Sequence, residues 1–321
     1  AQQKQPECAR CALLYAFQPR RERDAMDQPR RVEHQYTDKG YVPVYTTAVV
    51  EQPWAEYTAT EHQTWATLFE RQMALLPGRA CDEFFAGLKR LGIDGRGIPK
   101  FTELNPVLKA ATGWTLIAVE GLLPELAFFE HLANRRFPVT WWIRKPEQID
   151  YISEPDLFHD LFGHVPLLSL PVFADYMQAY GEGGLKAARY GSEPLTELTR
   201  LYWYTVEFGL MDTPQGLRIY GSGIVSSKGE SLYSLDSAAP NRIGFDVRRV
   251  MRTRYRIDTY QKTYFVIDSF EQLFRATVDP DFGPIYYELK GASAHPAGSV
   301  LDGDRIFQRG TGEGWPADGD V

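Results

Sequence analysis

Two histidines stand five residues apart in an otherwise apolar segment, and this segment limits what the chain can fold into more than any other. They are His159 and His164, two of only six histidines in the 321 residues, in the string PDLFHDLFGHVP. A neutral imidazole is the commonest protein ligand for a transition metal. The segment therefore predicts a metal site, and its neighbours must bring the remaining ligands.

The spacing of the two histidines restricts the local backbone. Asp156 is suited to cap a helix at its start, and Pro166 lies just past a helix end. In a regular α-helix of about 3.6 residues per turn, side chains five apart point about 140° away from each other. Both imidazoles can then bind one metal only if the chain turns back between them. We therefore expect the helix to end near Gly163.

A third candidate ligand follows in the string YWYTVEFGL. Here Glu207 lies between Val206 and Phe208, and a carboxylate buried among apolar neighbours needs a partner such as a cation. Two imidazoles and one carboxylate leave three positions of an octahedron open, which suits non-haem Fe(II) and O₂ chemistry.

Composition argues against several other functions. The net charge of −7, from 35 basic and 42 acidic residues without a basic block, argues against nucleic-acid binding. No apolar run approaches the roughly 18–20 residues of a membrane span. The first residues lack the pattern of a secretory signal. Three cysteines fit a reducing cytoplasm. We assign no metal or redox role to Cys8 and Cys11, because no second pair accompanies them.

Three strings together resemble one protein family. The string PDLFHDLFGHVP is followed by YWYTVEFGL and then IYGSGIVSSKGE, which is the order and spacing of the pterin-dependent aromatic amino acid hydroxylases. The likeness runs from about Tyr41 to about Leu289 and is closest to the compact bacterial members, which hydroxylate phenylalanine at carbon 4. It implies a single catalytic domain that is mainly helical with a few short strands, an α+β fold.

The resemblance also implies an activity and its cofactors. The family's iron(II) monooxygenases use a tetrahydropterin and O₂ to convert L-phenylalanine to L-tyrosine, a step of phenylalanine catabolism. His159, His164 and Glu207 match the iron ligands. The implied pterin contacts are the backbone near Gly121 and Leu123, the stacking ring of Phe128, and the carboxylates of Asp160 and Glu230.

On the substrate side, the resemblance assigns the amino acid carboxylate to Arg144, whose guanidinium can bind it through two hydrogen bonds. Animal members add a threonine where this chain has Ile152 followed by Ser153, and whether either contributes stays open. The other implied substrate contacts, with Ser226 also supporting the first histidine, are Pro155, Trp203, Phe208, Gly223 and Ser226.

Alternatives stay open at this point. Val266 falls where tyrosine-specific relatives carry an aspartate, which favours an apolar ring site and phenylalanine. A phenylalanine 3-hydroxylase or a tryptophan hydroxylase of the same family would share the motifs. A metal-dependent hydrolase with zinc on the same ligands would need a general base, for which Asp160 is the nearby candidate. A non-catalytic binding module would leave Phe128, Arg144 and Ser226 unexplained.

Periodicity and turn residues predict most of the elements. Thr58 and Glu61 form a capping-box pattern that opens a helix. Further helices are expected over Cys81–Leu91, Leu104–Ala111, Pro171–Ala188 and Pro194–Met211, and strands over Trp114–Val119, Val139–Arg144 and Tyr264–Ile267.

The chain divides into three parts by composition. Residues 1–40 are polar and predict a disordered arm, residues 41–290 the catalytic domain, and residues 291–321, rich in glycine, proline and aspartate, a loose tail. Because the segment from Met26 onward looks like the natural opening of bacterial members, we interpret residues 1–25 as an upstream extension or a cloning remnant, of unassigned role. The chain has no room for the tetramerisation tail of eukaryotic members, so we expect a monomer.

Overall fold

The computed structural model of the chain describes residues 36–37, 40–41 and 45–315, so Cys8, Cys11 and most of the expected arm lie outside the described residues. Its α-helices are α1 (Ala59–Leu75), α2 (Asp82–Leu91), α3 (Phe101–Thr112), α4 (Glu125–Ala133), α5 (Val165–Leu168), α6 (Pro171–Ala187), α7 (Ser192–Tyr202), α8 (Ser222–Val225), α9 (Lys228–Asp236), α10 (Val247–Met251), α11 (Phe270–Thr277) and α12 (Gly283–Leu289). The strands are β1 (Tyr36–Thr37), β2 (Gly40–Tyr41), β3 (Val49–Val50), β4 (Thr115–Val119), β5 (Arg136–Thr140), β6 (Leu210–Thr213), β7 (Gly216–Ile219), β8 (Asn241–Gly244), β9 (Thr263–Ile267) and β10 (Ile306–Gln308). Two further segments are π-helical, His159–His164 and Trp203–Glu207, and two are short 3₁₀ turns, Trp54–Glu56 and Pro146–Gln148.

The strands form two small sheets and one minimal hairpin. In the first sheet, β4 pairs antiparallel with β3 and parallel with β5. The second sheet has the order β10-β8-β9-β6-β7, with β9 parallel to both of its neighbours and the two outer strands antiparallel to theirs. Strands β1 and β2 pair with each other. The fold is mainly helical with short strands, as predicted.

Local signals begin and end the first helices as the sequence indicates. Thr58 and Glu61 form the reciprocal capping box at the start of α1. Gly92 ends α2 in the left-handed conformation at φ 66°, which glycine adopts without a Cβ penalty. The buried face of α1 carries Trp65 and Leu68, both fully enclosed. These helices therefore follow from capping and periodicity alone.

The long helix expected over Pro194–Met211 is shorter than predicted. Helix α7 passes into the π-helical turn Trp203–Glu207, and Met211 lies in β6. The reason is tertiary, because Leu210 and Met211 pair with Val266 and Ile267 of β9. Sheet pairing here overrides the helical pattern of the apolar residues.

The strand expected over Val139–Arg144 is also displaced. It runs over Arg136–Thr140, because its parallel partner β4 offers residues only from Thr115 to Val119. Arg144 lies in the loop beyond it, where its backbone N–H donates to the carboxylate of Asp156. This loop carries the arginine towards the site described below.

Residues 291–315, which composition alone led us to expect as part of a loose tail, contact the rest of the domain. Strand β10 pairs with β8, and the backbone N–H of Gly310 donates to the side-chain oxygen of Asn241 at 2.8 Å. Trp315 lies against Gly298, where an added Cβ would stand 2.4 Å from the indole ring. The boundary at residue 290 stays a prediction.

One continuous apolar core joins the helices to both sheets, and its largest enclosed side chains include Trp65, Trp114 and Tyr176. In the part of the chain that the structure describes, no helix has both the length and the apolar character needed to cross a bilayer.

Candidate functional site

The helix that carries the two histidines widens instead of ending. From His159 to His164 the backbone is π-helical, and α5 continues from it to Leu168. A π-helix closes its hydrogen bonds between residues five apart, so side chains with this spacing share one face. The helix end expected near Gly163 is therefore wrong. Gly163 serves close packing instead, because a Cβ there would stand 2.9 Å from the carbonyl oxygen of Ser222.

Asp156 anchors the start of this helix and does more than cap it. Its Oδ1 accepts from the backbone N–H of His159 at 3.0 Å, which is a cap contact. The same buried carboxylate binds Arg144 through two side-chain hydrogen bonds of 2.8 and 2.9 Å. Burial alone would raise the pKa of Asp156, but the Arg144 guanidinium outweighs this and holds the pKa below its ordinary value. Asp156 thus joins the first histidine to the candidate carboxylate receptor.

The second π-helical turn brings Glu207 opposite the two imidazoles. Its two carboxylate oxygens lie 3.5 Å from the Nε2 of His159 and 3.5 Å from the Nε2 of His164, and the two Nε2 atoms lie 3.2 Å apart. Ligand atoms about 2.1 Å from one ion lie about 3.0 Å apart at right angles and about 3.4 Å apart at the tetrahedral angle. The three groups can therefore bind one metal ion from the same side.

Asp160 is a second acid in reach of this centre. Its carboxylate comes within 4.8 Å of ligand atoms of both His159 and His164. Its Oδ2, however, accepts from the backbone N–H of Thr140 at 2.7 Å, and burial raises its pKa to about 7. Because Glu207 is nearer to both imidazoles, it is the better third ligand.

Two serines orient two of the candidate ligands, His159 and Glu207, through hydrogen bonds. The Ser226 hydroxyl donates to the carbonyl oxygen of Ser222 at 2.7 Å, so its oxygen is left to accept from the Nδ1 of His159 at 3.0 Å. The proton on Nδ1 leaves Nε2 with its lone pair directed at the centre. The Ser222 hydroxyl in turn donates to Glu207 at 2.9 Å. Such outer hydrogen bonds are typical of metal sites.

Two cavities meet at this centre, with His159, Glu207 and Pro155 in the walls of both. Every site residue predicted from the sequence borders at least one of them. The first cavity is also lined by Gly121, Leu123, Phe128, Asp160 and His164. The second is also lined by Arg144, Trp203, Phe208, Gly223, Ser226 and Glu230.

The first cavity has an aromatic wall. Phe128 and Phe129 both line it, but Phe128 is half-buried whereas Phe129 is only 2% exposed and belongs to the core. The Phe128 ring is held edge-to-face against Tyr202, with centroids 5.7 Å apart. A partly exposed aromatic ring beside polar groups suits a flat heterocycle.

The second cavity has an aromatic wall beside the metal centre, which we call the ring slot. The ring of Trp203 packs against that of Phe208 at 4.6 Å and stacks on Tyr255 at 4.3 Å. Gly223 completes this wall, because an added Cβ would stand 2.9 Å from the Phe208 ring. A small aromatic side chain can pack against such a wall, with the Arg144 guanidinium in the same cavity.

Glu230 is separated from the other residues that the resemblance assigned to the cofactor. The resemblance assigned it to the cofactor, but it lines the second cavity and not the first. Its Oε1 accepts from the Tyr264 hydroxyl and from the backbone N–H of Gln261 at 3.2 Å. Burial raises the pKa of its carboxyl to about 7.

Sequence reasoning missed several residues. Asp156 was predicted only as a helix cap. A buried arginine such as Arg144 requires an acidic partner, and this requirement could have indicated the Arg144–Asp156 pair. Sequence reasoning also missed Glu125 in the first cavity, where Thr199 donates to its carboxylate at 2.9 Å and burial raises its pKa. Nothing in the sequence pattern marked Ser222. Ile152 and Ser153 both line the second cavity.

Comparison with known proteins agrees with this geometry. The model of the family described as "Biopterin-dependent aromatic amino acid hydroxylase" matches residues 46–278. A phenylalanine-4-hydroxylase of Ralstonia nicotianae is 66% identical over 272 residues, which are 85% of this chain and 86% of that protein. One of Chromobacterium violaceum is 62% identical over 270 residues, covering 84% of this chain and 90% of the relative.

Solved structures of the Chromobacterium violaceum phenylalanine hydroxylase are similar throughout the domain. The structure with bound iron and phenylalanine has a TM-score of 0.77 at 62% identity, covering 80% of this chain and 93% of that one. The structure with iron(III) and the oxidised cofactor 7,8-dihydrobiopterin has a TM-score of 0.77 at 61% identity, covering 81% and 93%.

Proposed function

Since the chain belongs to the biopterin-dependent aromatic amino acid hydroxylases, we propose that it hydroxylates L-phenylalanine to L-tyrosine with a tetrahydropterin and O₂ at a non-haem Fe(II). Relatives at 66% and 62% identity carry the name phenylalanine-4-hydroxylase, and a similar structure binds iron together with phenylalanine. The proposed reaction places one oxygen atom on carbon 4 of the ring.

One observation carries the proposal, the convergence of two imidazoles and one carboxylate at the junction of two cavities. His159, His164 and Glu207 present ligand atoms 3.2 to 3.5 Å apart. Three ligands on one face leave the opposite face of an octahedral ion open. Both cavities border this centre, so an organic cofactor and an aromatic substrate can both lie beside one metal ion.

When bound, Fe(II) and the reduced pterin supply the electrons and the O₂ activation that side chains cannot. The chain's own contribution is to bind, orient and enclose. Ser226 keeps the proton of His159 on Nδ1, which directs Nε2 at the metal. The apolar walls limit water around the reacting groups.

We assign the first cavity to the pterin. The ring of Phe128 would stack on the pterin, and the backbone near Gly121 and Leu123 would form hydrogen bonds with it. Asp160 lies at the back of this cavity, with its carboxylate held by Thr140. We propose that Asp160 reaches the pterin through water, because its side chain is short.

We assign the second cavity to the amino acid. The ring occupies the slot of Trp203, Phe208 and Gly223, with Pro155 on the other side. Asp156 uses Nε and Nη2 of Arg144, which leaves other N–H groups of the same guanidinium for the substrate carboxylate.

No observation favours the alternatives. A metal hydrolase would need a general base beside a metal-bound water, yet the nearest acid, Asp160, is held by the Thr140 backbone. For a tryptophan hydroxylase or a 3-hydroxylase the motifs would be the same, but the relatives named above are phenylalanine-4-hydroxylases. Val266, the predicted marker of an apolar ring site, is buried in β9.

The test is direct. Purified protein with Fe(II), a reduced pterin, O₂ and L-phenylalanine should form L-tyrosine with one pterin oxidised per tyrosine. Formation of 3-hydroxyphenylalanine, or turnover of tryptophan alone, would assign another member of the family. No reaction with any aromatic amino acid would contradict the proposal. A cytoplasmic location, which three cysteines favour, and a monomeric state remain proposals, the latter open to light scattering.

A further inference from the structure

The proposed substrate carries two charges, and the site described so far binds only one of them. An amino acid at neutral pH has a carboxylate and an ammonium group on the same carbon. Arg144 accounts for the carboxylate. An ammonium group enclosed in an apolar cavity without an anionic or hydrogen-bonding partner would lose much of its hydration free energy. The second cavity therefore needs an acceptor for it.

Six carboxylates line the second cavity, and one of them, Glu207, is a candidate metal ligand. Most of the other five are unsuited to this task. Asp150 pairs with Arg71 at 2.6 Å and is largely exposed. Asp258 pairs with Arg256 at 2.6 Å and is also exposed. Glu313 is an exposed residue of the C-terminal segment. Apart from Glu207, the buried acids of the cavity are Glu154 and Glu230.

Glu230 has one oxygen anchored and one open to the cavity. Its Oε1 takes both protein hydrogen bonds, from the Tyr264 hydroxyl and from the Gln261 backbone. No described residue donates a hydrogen bond to its Oε2. Oε2 is also not among the fully enclosed side-chain atoms without a hydrogen-bond partner, so part of its surface is accessible. The residue is only 5% exposed and lines the second cavity, so the accessible part of its carboxylate faces this cavity, which we assign to the substrate.

The surroundings of Glu230 tie it to both parts of the substrate site. The side-chain oxygen of Gln261 accepts from the indole N–H of Trp203 at 2.9 Å, while the backbone of Gln261 holds Glu230. Gln261 thus links Glu230 to Trp203 in the wall of the ring slot. It also follows Ser226 by four residues, across the Ser227 cap of α9.

We propose that Oε2 of Glu230 binds the α-ammonium group of the amino acid substrate, an inference that rests on the proposed function. Arg144 and Glu230 then select for a zwitterion, while the slot at Trp203 selects for an aromatic ring. A positive charge beside Glu230 also favours the ionised form of its carboxyl, because it opposes the rise in pKa that burial causes.

The test compares two ligands that differ only in the ammonium group. L-Phenylalanine and 3-phenylpropanoate share the ring and the carboxylate. Their dissociation constants are measured by calorimetry on the iron-loaded wild type, on Glu230→Gln and on Glu154→Gln. Glutamine keeps an acceptor for Tyr264 and Gln261 but removes the charge. Glu154→Gln is the matched control, because it makes the same substitution at the other buried acid of the cavity that is not a candidate metal ligand.

Glu230→Gln should bind L-phenylalanine about 10- to 100-fold more weakly, the usual range for a lost charge-assisted hydrogen bond, and should bind 3-phenylpropanoate as the wild type does. The ratio of the two constants should be unchanged in Glu154→Gln. Equal weakening of both ligands in Glu230→Gln would indicate a structural role and overturn the proposal, as would a changed ratio in Glu154→Gln alone.

A measurement on the wild type keeps the proposal testable even if the variant does not fold. The wild type should bind 3-phenylpropanoate at least tenfold more weakly than L-phenylalanine, and equal affinities would overturn the proposal. Tyrosine formation by the same wild-type preparation separates this outcome from failure of the proposed function.

Discussion

Ser226 and His159 share a hydrogen bond of 3.0 Å whose direction is determined, because the Ser226 hydroxyl donates its only hydrogen to the Ser222 carbonyl oxygen. Replacing Ser226 by alanine removes the acceptor for the Nδ1 proton, so the ring of His159 can change tautomer and orientation. We expect the affinity for Fe(II) to fall about 10- to 100-fold. An anaerobic titration against a competing chelator measures it.

The neighbouring serine supplies the control. Ser227 caps α9 and touches none of the three ligands. Ser227→Ala should cost about 1 kcal/mol of stability and leave iron affinity unchanged. Equal iron affinities in Ser226→Ala and the wild type would show that the hydrogen bond does not orient His159.

The Arg144–Asp156 pair is expected to be among the strongest single contributions to stability near the site. Both side chains are buried, so Asp156→Asn leaves the guanidinium charge without its partner. We expect a loss of about 3–5 kcal/mol in the free energy of unfolding, measured by urea denaturation. The matched change in an exposed pair, Asp150→Asn opposite Arg71, should cost less than about 1 kcal/mol. Similar losses in both variants would contradict the account of the buried pair.

The ring slot predicts a steric effect at Gly223. An alanine there places its Cβ 2.9 Å from the Phe208 ring and 3.1 Å from the Glu207 carbonyl oxygen. The Phe208 ring must then move into the slot, and we expect the KM for L-phenylalanine to rise about tenfold with little change in the pterin KM. Steady-state kinetics with each substrate varied in turn measure both constants.

Gly183 is the matched control for this substitution. It lies in α6 with nothing within 4 Å of an added Cβ. Gly183→Ala should keep both KM values and raise stability slightly, since alanine favours the helix by about 0.5–1 kcal/mol. A change of both KM values in Gly223→Ala would point to damage at the metal centre instead of the slot.

The three candidate ligands, which the structure brings together, and most helices could be identified from the sequence, because residue type and spacing along the chain mark them. The capping box at Thr58 and the pattern around His159 and His164 are local signals. The π-helical turn was not predictable in this way. It depends on the close approach of Ser222 to Gly163, which only the folded chain brings about.

The hydrogen-bond partners of the site residues could not be predicted from the sequence, for a similar reason. The carboxylate of Asp156 reaches Arg144 from twelve residues away, and Glu230 meets Tyr264 from thirty-four away. Such contacts are set by tertiary packing. For Glu230 the resemblance indicated a site residue, and the structure places it in the wall of the second cavity.

The buried acid Glu197 gives a prediction on pH. Burial raises the pKa of its carboxyl from 4.5 to about 7, with Glu193 adding to the shift, and its Oε2 has no hydrogen-bond partner among the described residues. The folded state therefore binds a proton that the unfolded state releases near pH 4.5. The resulting contribution to stability is present below that pH and is lost as the pH rises through about 7.

Glu197→Gln removes this pH dependence. Relative to the wild type, the variant should gain about 1–2 kcal/mol between pH 5 and pH 8, less than the full shift because water screens part of the carboxyl. Urea denaturation at both pH values measures the difference. Glu193→Gln, an exposed change on the same helix, removes only the smaller repulsion that Glu193 adds and should show a much smaller gain. A pH-independent difference for Glu197→Gln would contradict the assignment.

The central claim is that His159, His164 and Glu207 bind a single ferrous ion at the junction of the two cavities. Crystals grown anaerobically with Fe(II) and measured at the iron absorption edge test it most directly. The account predicts one anomalous peak per chain, about 2.0–2.2 Å from both Nε2 atoms and from a Glu207 oxygen. A peak that omits any of these three ligands, or no peak at this junction, would contradict it.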